Sequence, residues 1–169
     1  MGAHEKPLTP KHMKYYKAPW GISLLVISSF LTVICLGTAL VAFWHGGNSF
    51  WLGVGMLAMV VGCALFAIRG YTVTPDALLV HRLVWTTRLP LAGLQSAQFQ
   101  PNAMRWSIRT FGNGGFFSIS GFYWNKLLGA YRALATNGRQ TVVLRYSGRT
   151  TVVVSPSSPE EFAHEFGTL

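Results

Sequence analysis

The sequence predicts a membrane α-helical hairpin of two transmembrane helices joined to a β-rich domain, a small barrel or curled sheet with a C-terminal capping helix. Three observations predict it. Residues 18–68 contain no Asp, Glu, Lys or Arg, a stretch a bilayer demands and a globular fold rarely holds. Residues 70–155 read as short β-prone runs separated by turn residues. Residues 158–166 then carry the capping residues and aromatic spacing of one short helix.

The uncharged stretch divides in two. Residues 20–44 form a continuous apolar run, long enough to cross a hydrocarbon core of about 30 Å with some tilt. His45-Gly46-Gly47-Asn48-Ser49 interrupts it with turn residues. Residues 50–68 are a second run, just long enough to span, and Arg69 closes it. Lipid tolerates no unpaired backbone polar groups, so both runs must be helices, and the short linker makes them antiparallel. Trp20, Trp44, Trp51 and Tyr71 lie near the ends of the runs, where amphipathic rings favour the headgroup layer. A cleaved signal peptide is the rival reading. Its apolar core is only about 7–15 residues and ends in small residues, whereas the first run is longer, starts later and meets no Ala-x-Ala.

Within the second run Gly55, Ala58 and Gly62 are small, and Ala58-x-x-x-Gly62 is a spacing that lets helices approach closely. Packing against Ser28, Thr32 and Cys35 of the first helix is the plain use. A homo-oligomer or partner contact is the sharper one. Cys35 and Cys63 have no metal-ligand or redox spacing and read as buried thiols.

Composition supports the membrane class: 50% of residues are hydrophobic and 11% charged, with a formal charge of +9. Lys6, Lys11, Lys14 and Lys17 precede the first run, and nine Arg plus Lys126 follow the second, while the loop between has neither Lys nor Arg. The positive-inside bias therefore places both termini in the cytoplasm, as a multi-pass protein of the inner (plasma) membrane. The dispersed positive charge argues against a nucleic-acid partner. The expected division is a basic, mobile tail over residues 1–17, the hairpin over 18–69 and the cytoplasmic domain over 70–169.

The domain is read strand by strand. Residues 71–74, 78–84, 88–91 and 94–100 are successive β-prone runs, with Pro75-Asp76 as a turn and Pro90 suiting an edge. In residues 105–111 Trp106 and Ile108 alternate with Arg105, Ser107 and Arg109, the period of a half-buried strand with a basic outer face. Gly112-Asn113-Gly114-Gly115 is a loop, and residues 116–128 are aromatic-rich. A meander follows: strands 130–136, 139–146 and 150–155, joined by the two-residue turn Asn137-Gly138 and by Ser147-Gly148. In the terminal helix Ser158 is the N-cap, Pro159 takes the first position, Glu161 completes a capping box, and Phe162 and Phe166 share one face.

Several motifs carry a family likeness: Arg109-x-x-Gly112-x-Gly114-Gly115, Gly121-Phe122, Tyr131-x-x-Leu134-Ala135-Thr136 and Ser155-Pro156-x-x-Pro159-Glu160-Glu161-Phe162. The segment from Tyr71 to Phe166 resembles the bacterial pleckstrin-homology-like (PH) domain family, whose members are often attached to membrane helices. The resemblance implies a PH-like barrel with a C-terminal helix, a binding or scaffolding role, and no catalytic residues. The apolar Phe122-Tyr-Trp-Asn-Lys-Leu-Leu128 departs from the more polar hairpin of relatives.

The residues themselves offer little chemistry. The domain holds only Asp76, Glu160, Glu161 and Glu165, one in a turn and three at a helix start, so no paired acids remain for general acid–base work. His81 and His164 stand alone, and no nucleophile elbow, phosphate-loop Lys or zinc spacing occurs. No enzyme activity, cofactor or metal site is expected. Two constellations remain. Arg82, Arg88, Arg105, Arg109, Arg132, Arg145 and Arg149 would attract anionic headgroups if several converge, or are scattered solubilising charge. Phe122, Tyr123, Trp124, Leu127 and Leu128 would dip into the interface beside Lys126, bind a protein, or fill the core. With Arg105 and Arg109 they are the candidate lipid- or partner-binding residues. The expected function is a membrane-anchored module that recruits or scaffolds a protein partner. The alternatives are a module responsive to anionic lipid and an accessory subunit of a transporter or envelope complex.

Overall fold

A computed structural model describes residues 13–166. Two helices come early, α1 (Ile22–His45) and α2 (Ser49–Leu65), and a third, α3 (Pro159–His164), comes last. The strands are β1 (Lys14–Lys17), β2 (Ile68–Val73), β3 (Ala77–Arg82), β4 (Thr86–Pro90), β5 (Leu94–Phe99), β6 (Ile108–Gly114), β7 (Ile119–Asn125), β8 (Gly129–Ala135), β9 (Val142–Tyr146) and β10 (Thr151–Val154). They form one sheet in the order β1-β2-β3-β4 and a second in the order β5-β9-β10-β8-β7-β6.

The sheets share a core. Tyr71, Leu78 and Val80 from the first meet Leu134, Val142, Leu144 and Val154 from the second, with Phe162 of α3 and Phe166 just after it buried among them. The Tyr71 hydroxyl ties the two layers by donating to the Leu134 carbonyl at 2.8 Å. On the other face of the second sheet Tyr123, Tyr131, Ala133, Val143 and Val153 pack under Ala103 and Met104. Burial on both faces explains why Val142-Val143-Leu144 and Val152-Val153-Val154 read as unbroken apolar runs rather than alternating ones.

Several sequence expectations are corrected here. The tail is not loose over its last residues: Lys14–Lys17 pairs antiparallel with β2, Lys17 opposite Gly70. Residues 1–12 of that tail, and 167–169, lie outside the described residues. Tyr16 is buried edge-on against Phe162 at 5.1 Å and donates to Glu165 Oε1 at 3.0 Å, so a packing residue inside a polar stretch decides the strand. Lys14 bonds Glu161 and stands 3.3 Å from Glu165; those partners hold its ammonium above its ordinary pKa.

The Asn137-Gly138 turn does not join neighbouring strands. β10 lies between β8 and β9, parallel to β8 and antiparallel to β9, and neither Asn137 nor Gly138 takes positive φ. Instead Ser155 Oγ accepts from the backbone N–H groups of Thr136 and Asn137 at 2.8 and 3.1 Å, holding the chain end away from a tight hairpin. The Ser147-Gly148 turn does form, with Gly148 at φ 70°. Finally, the predicted half-buried strand at 105–111 begins later, at Ile108, and Trp106 and Ile108 are 84% and 64% exposed. At the chain end Pro159 starts α3 as expected, but Ser158 makes no side-chain cap.

The helices form the expected antiparallel pair in geometry. α1 has 24 residues and is apolar and long enough to cross a membrane; α2 has 17. Small residues do line the contact, but not those expected. α1 buries Cys35, Ala39 and Ala42, and on α2 Gly53 is the buried residue, with the Phe43 ring 2.6 Å from where a Cβ would stand. Gly55 and Ala58 are exposed, and a Cβ at Gly55 or Gly62 would meet nothing within 4 Å.

Candidate binding site

The chemistry gathers where the helices meet the second sheet. Arg82 ends β3, Arg109 and Phe111 lie on β6, Phe122 on β7 and Arg132 on β8. β6 and β7 approach closely because Gly112 faces Gly121. A Cβ on Gly121, at φ 145°, would stand 2.1 Å from the Phe111 carbonyl oxygen, so only glycine fits there. Together with Gly62, Cys63 and Phe66 at the end of α2, these residues enclose a cavity of about 630 Å³, within the usual range for a small-ligand site.

Arg82 is the most constrained of the three cations, at 8% exposure. Its Nη1 donates to the Phe66 carbonyl at 2.8 Å and to Ser120 Oγ at 3.3 Å, and its Nε to Thr87 Oγ1 at 3.4 Å. Nη2 donates to nothing among the described residues. The guanidinium lies 5.5 Å from the Phe66 ring centroid and 5.8 Å from that of Trp85, so aromatic faces support it where a carboxylate would otherwise stand. Burial lowers its pKa, and the neighbouring Arg132 charge lowers it further. An arginine still keeps its proton under such pressure, so the site holds uncompensated positive charge.

A second cavity of about 330 Å³ adjoins the first, sharing Phe122 and Arg132 and adding Arg88 and Arg149. Five of the seven arginines singled out from the sequence thus line two cavities that share walls, and among the described residues no acidic side chain lines either. On the far side of Arg82, Lys17, Arg69 and His81 border an open basin near the start of α1. His81 is not free there: its ring nitrogens lie 2.8 Å from Thr72 Oγ1 and 3.2 Å from Thr86 Oγ1.

The other candidate residues separate. Arg109 and Phe122 enter the site, but Arg105 lies outside both cavities, 5.6 Å over the Trp106 ring. Residues 122–128 are a hairpin tip only in their last part: 122–125 belong to β7 and 126–128 are the turn to β8. Strand alternation therefore puts Phe122 and Trp124 on one face, half exposed, and buries Tyr123 on the other. Tyr123 stacks on Tyr131 at 5.9 Å and donates to the Asn113 carbonyl at 3.0 Å. Burial pushes its pKa up to about 12. Leu128 packs on the outer core, while Lys126 and Leu127 are exposed at the β7–β8 turn, away from the cavity.

The tip of the β6–β7 hairpin, residues 115–118, docks on α1. Ser28 Oγ donates to the Gly115 carbonyl at 3.2 Å and accepts from the Phe117 N–H at 2.9 Å. Phe117 meets Trp20 edge-on at 6.0 Å and stacks with Phe116 at 4.7 Å. Phe66 and Ser120 carry no signal in the sequence, and Ser28, a hydroxyl inside an apolar helix, reads there only as part of a small packing strip.

No curated protein and no solved structure matches the chain. A family model described as bacterial PH domain matches residues 69–168. That span is more than half of the chain and runs from the second residue of β2 through α3, leaving β1 and the helical pair outside it. The chain belongs to the bacterial PH domain family, and its β-rich part is an interaction module of that kind.

Proposed function

We propose that this chain is a membrane-anchored, non-enzymatic PH-like module that reads anionic phospholipid at the cytoplasmic face of the bacterial inner membrane. One observation carries the reading: Arg82, Arg109 and Arg132 line a single cavity with the end of an apolar helix, and among the described residues no acid is in its walls. Phosphate-bearing headgroups match that charge, and Arg82 Nη2 has two N–H donors to offer. The aromatic and aliphatic remainder of the lining suits the glycerol and upper acyl region.

The anchor is a two-pass hairpin. β1 pairs with β2 on either side of the helices, so the chain leaves and re-enters the domain at one place. That pairing supports an even number of crossings, with α2 returning what α1 carries across. At 17 residues α2 lies at the lower limit for a span. Lys14, Lys17 and Arg69 flank the helices on the domain side and the connecting loop has no cation, which favours both termini in the cytoplasm.

Recruitment of a protein partner is the second reading, favoured by β6. It is an open edge of its sheet with nearly every residue exposed, and such an edge accepts an added strand. Native mass spectrometry of the full-length protein, extracted gently from its own membrane, separates the two. Phosphatidylglycerol should be retained by wild type and by Arg105→Gln. Arg82→Gln and Arg132→Gln should weaken it about fivefold each, as near-surface cations worth about 1 kcal/mol do. Equal retention by all four would sink the lipid reading, and a stoichiometric copurifying protein would establish the other.

A further inference from the structure

We infer that the β6–β7 tip, residues 115–118, is a wedge seated in the bilayer at the boundary between headgroups and acyl chains. The inference rests on the reading that α1 crosses the membrane, but it uses observations the lipid cavity does not.

The first is depth. Ser28 lies six residues inside α1, which starts at Ile22, or about 9 Å along the helix axis. Its hydroxyl holds the tip at that level by two hydrogen bonds. A helix that enters the bilayer near Trp20 therefore carries the tip with it, to the depth interfacial segments reach, about 5–10 Å.

The second is backbone accounting. A loop entering a low-dielectric layer must satisfy its own polar groups. Here the N–H groups of Gly115, Phe116 and Phe117 all have acceptors. Gly115 N donates to the Ser118 carbonyl at 3.1 Å, Phe116 N to Asn113 Oδ1 at 3.0 Å, and Phe117 N to Ser28. The Gly115 carbonyl accepts from Ser28 and the Phe116 carbonyl from Asn113 Nδ2. Ser118 Oγ, buried without a partner, is an exception to this accounting.

The third is composition. No charged residue occurs between Arg109 and Lys126. The apolar surface of α1, with Val26 and Ile27 exposed, continues across the half-buried Phe117, and Phe111 on the neighbouring strand is 75% exposed. Phe117 also holds φ 63°, a conformation costly for an aromatic residue. That geometry aims its N–H at Ser28. The wedge would fix the domain at one height and tilt on the leaflet.

Depth-dependent fluorescence quenching tests this on the full-length protein in phosphatidylglycerol/phosphatidylcholine vesicles. An environment-sensitive label is placed at Phe117→Cys, Phe111→Cys, Leu127→Cys or Val33→Cys, with Cys35 and Cys63 replaced by Ala. Val33 is exposed and lies eleven residues into α1, about 16 Å along its axis. Nitroxide lipids supply shallow and deep quenchers. The wedge predicts that Phe117 and Phe111 labels lose fluorescence to the shallow quencher, Val33 to the deep one, and Leu127 to neither. Ser28→Ala should reduce quenching at Phe117 and leave Val33 unchanged. A Phe117 label as unquenched as Leu127, with Val33 quenched, would overturn the wedge while leaving the span intact. An unquenched Val33 would overturn the span and the wedge with it.

Discussion

Tyr71 shows how much one hydroxyl carries in this fold. It donates to the Leu134 carbonyl at 2.8 Å and accepts from the Ser155 N–H at 3.2 Å, linking β2 to β8 and to the chain end. Tyr71→Phe removes both bonds and takes from the buried Ser155 N–H its acceptor, and should cost about 1–3 kcal/mol, read as a lower midpoint in thermal unfolding of the detergent-solubilised protein. Burial pushes Tyr71 and Tyr123 up to about 12 from an ordinary value near 10. The fold keeps both protonated while the unfolded chain ionises, so their contribution is whole below pH 10. It is lost as pH rises from about 10 through 12. Thermal midpoints measured between pH 9 and 11.5 should fall with pH, and fall less in Tyr71→Phe.

At the scale of elements, the helical pair and the outer strands differ in how plainly the sequence announces them. Both helices were legible because lipid and apolar packing demand long uncharged runs, and residues 20–44 and 50–68 supply them. Their contact face was not, because small residues recur all along α2 and only the partner's shape chooses among them. Phe43 selects Gly53. Gly53→Leu should therefore lower the thermal midpoint by an overpacking cost of about 1–3 kcal/mol, while Gly55→Leu, which meets open space, should not. If Gly55→Leu instead abolishes a dimer on native gels, the Gly55 face belongs to a second copy. Strands β9 and β10 were legible for the same reason as the helices. Their order was not: Asn137-Gly138 has the composition of a hairpin turn, and a distant hydroxyl on Ser155 overrides it. The candidate site was half legible. The arginines were visible in the sequence as a set, but their convergence depends on β3, β6 and β8 meeting at the foot of α2.

For the whole molecule, the decisive feature is that the sheet begins before the helices and resumes after them. Tyr16 makes that closure energetic as well as topological, since it is 3% exposed and packs on Phe162. Tyr16→Ala should cost about 3 kcal/mol. Hydrogen exchange should report the loss first at Ile68–Val73, the strand that β1 covers; protection unchanged there would mean that β1 is dispensable.

The Lys17–Gly70 pairing also orders events during synthesis. β1 is the first described strand made, yet its partner emerges from the ribosome only after both helices have been translated. On the proposed two-pass reading, the helices reach the bilayer while the strand that will fasten them is still unpaired. Once β2 arrives and the neck closes, neither leg of such a hairpin withdraws alone, because each is tied at its domain end to the same sheet. On that reading insertion comes first and the domain locks it, so a chain cut short before β2 would be anchored but never fastened.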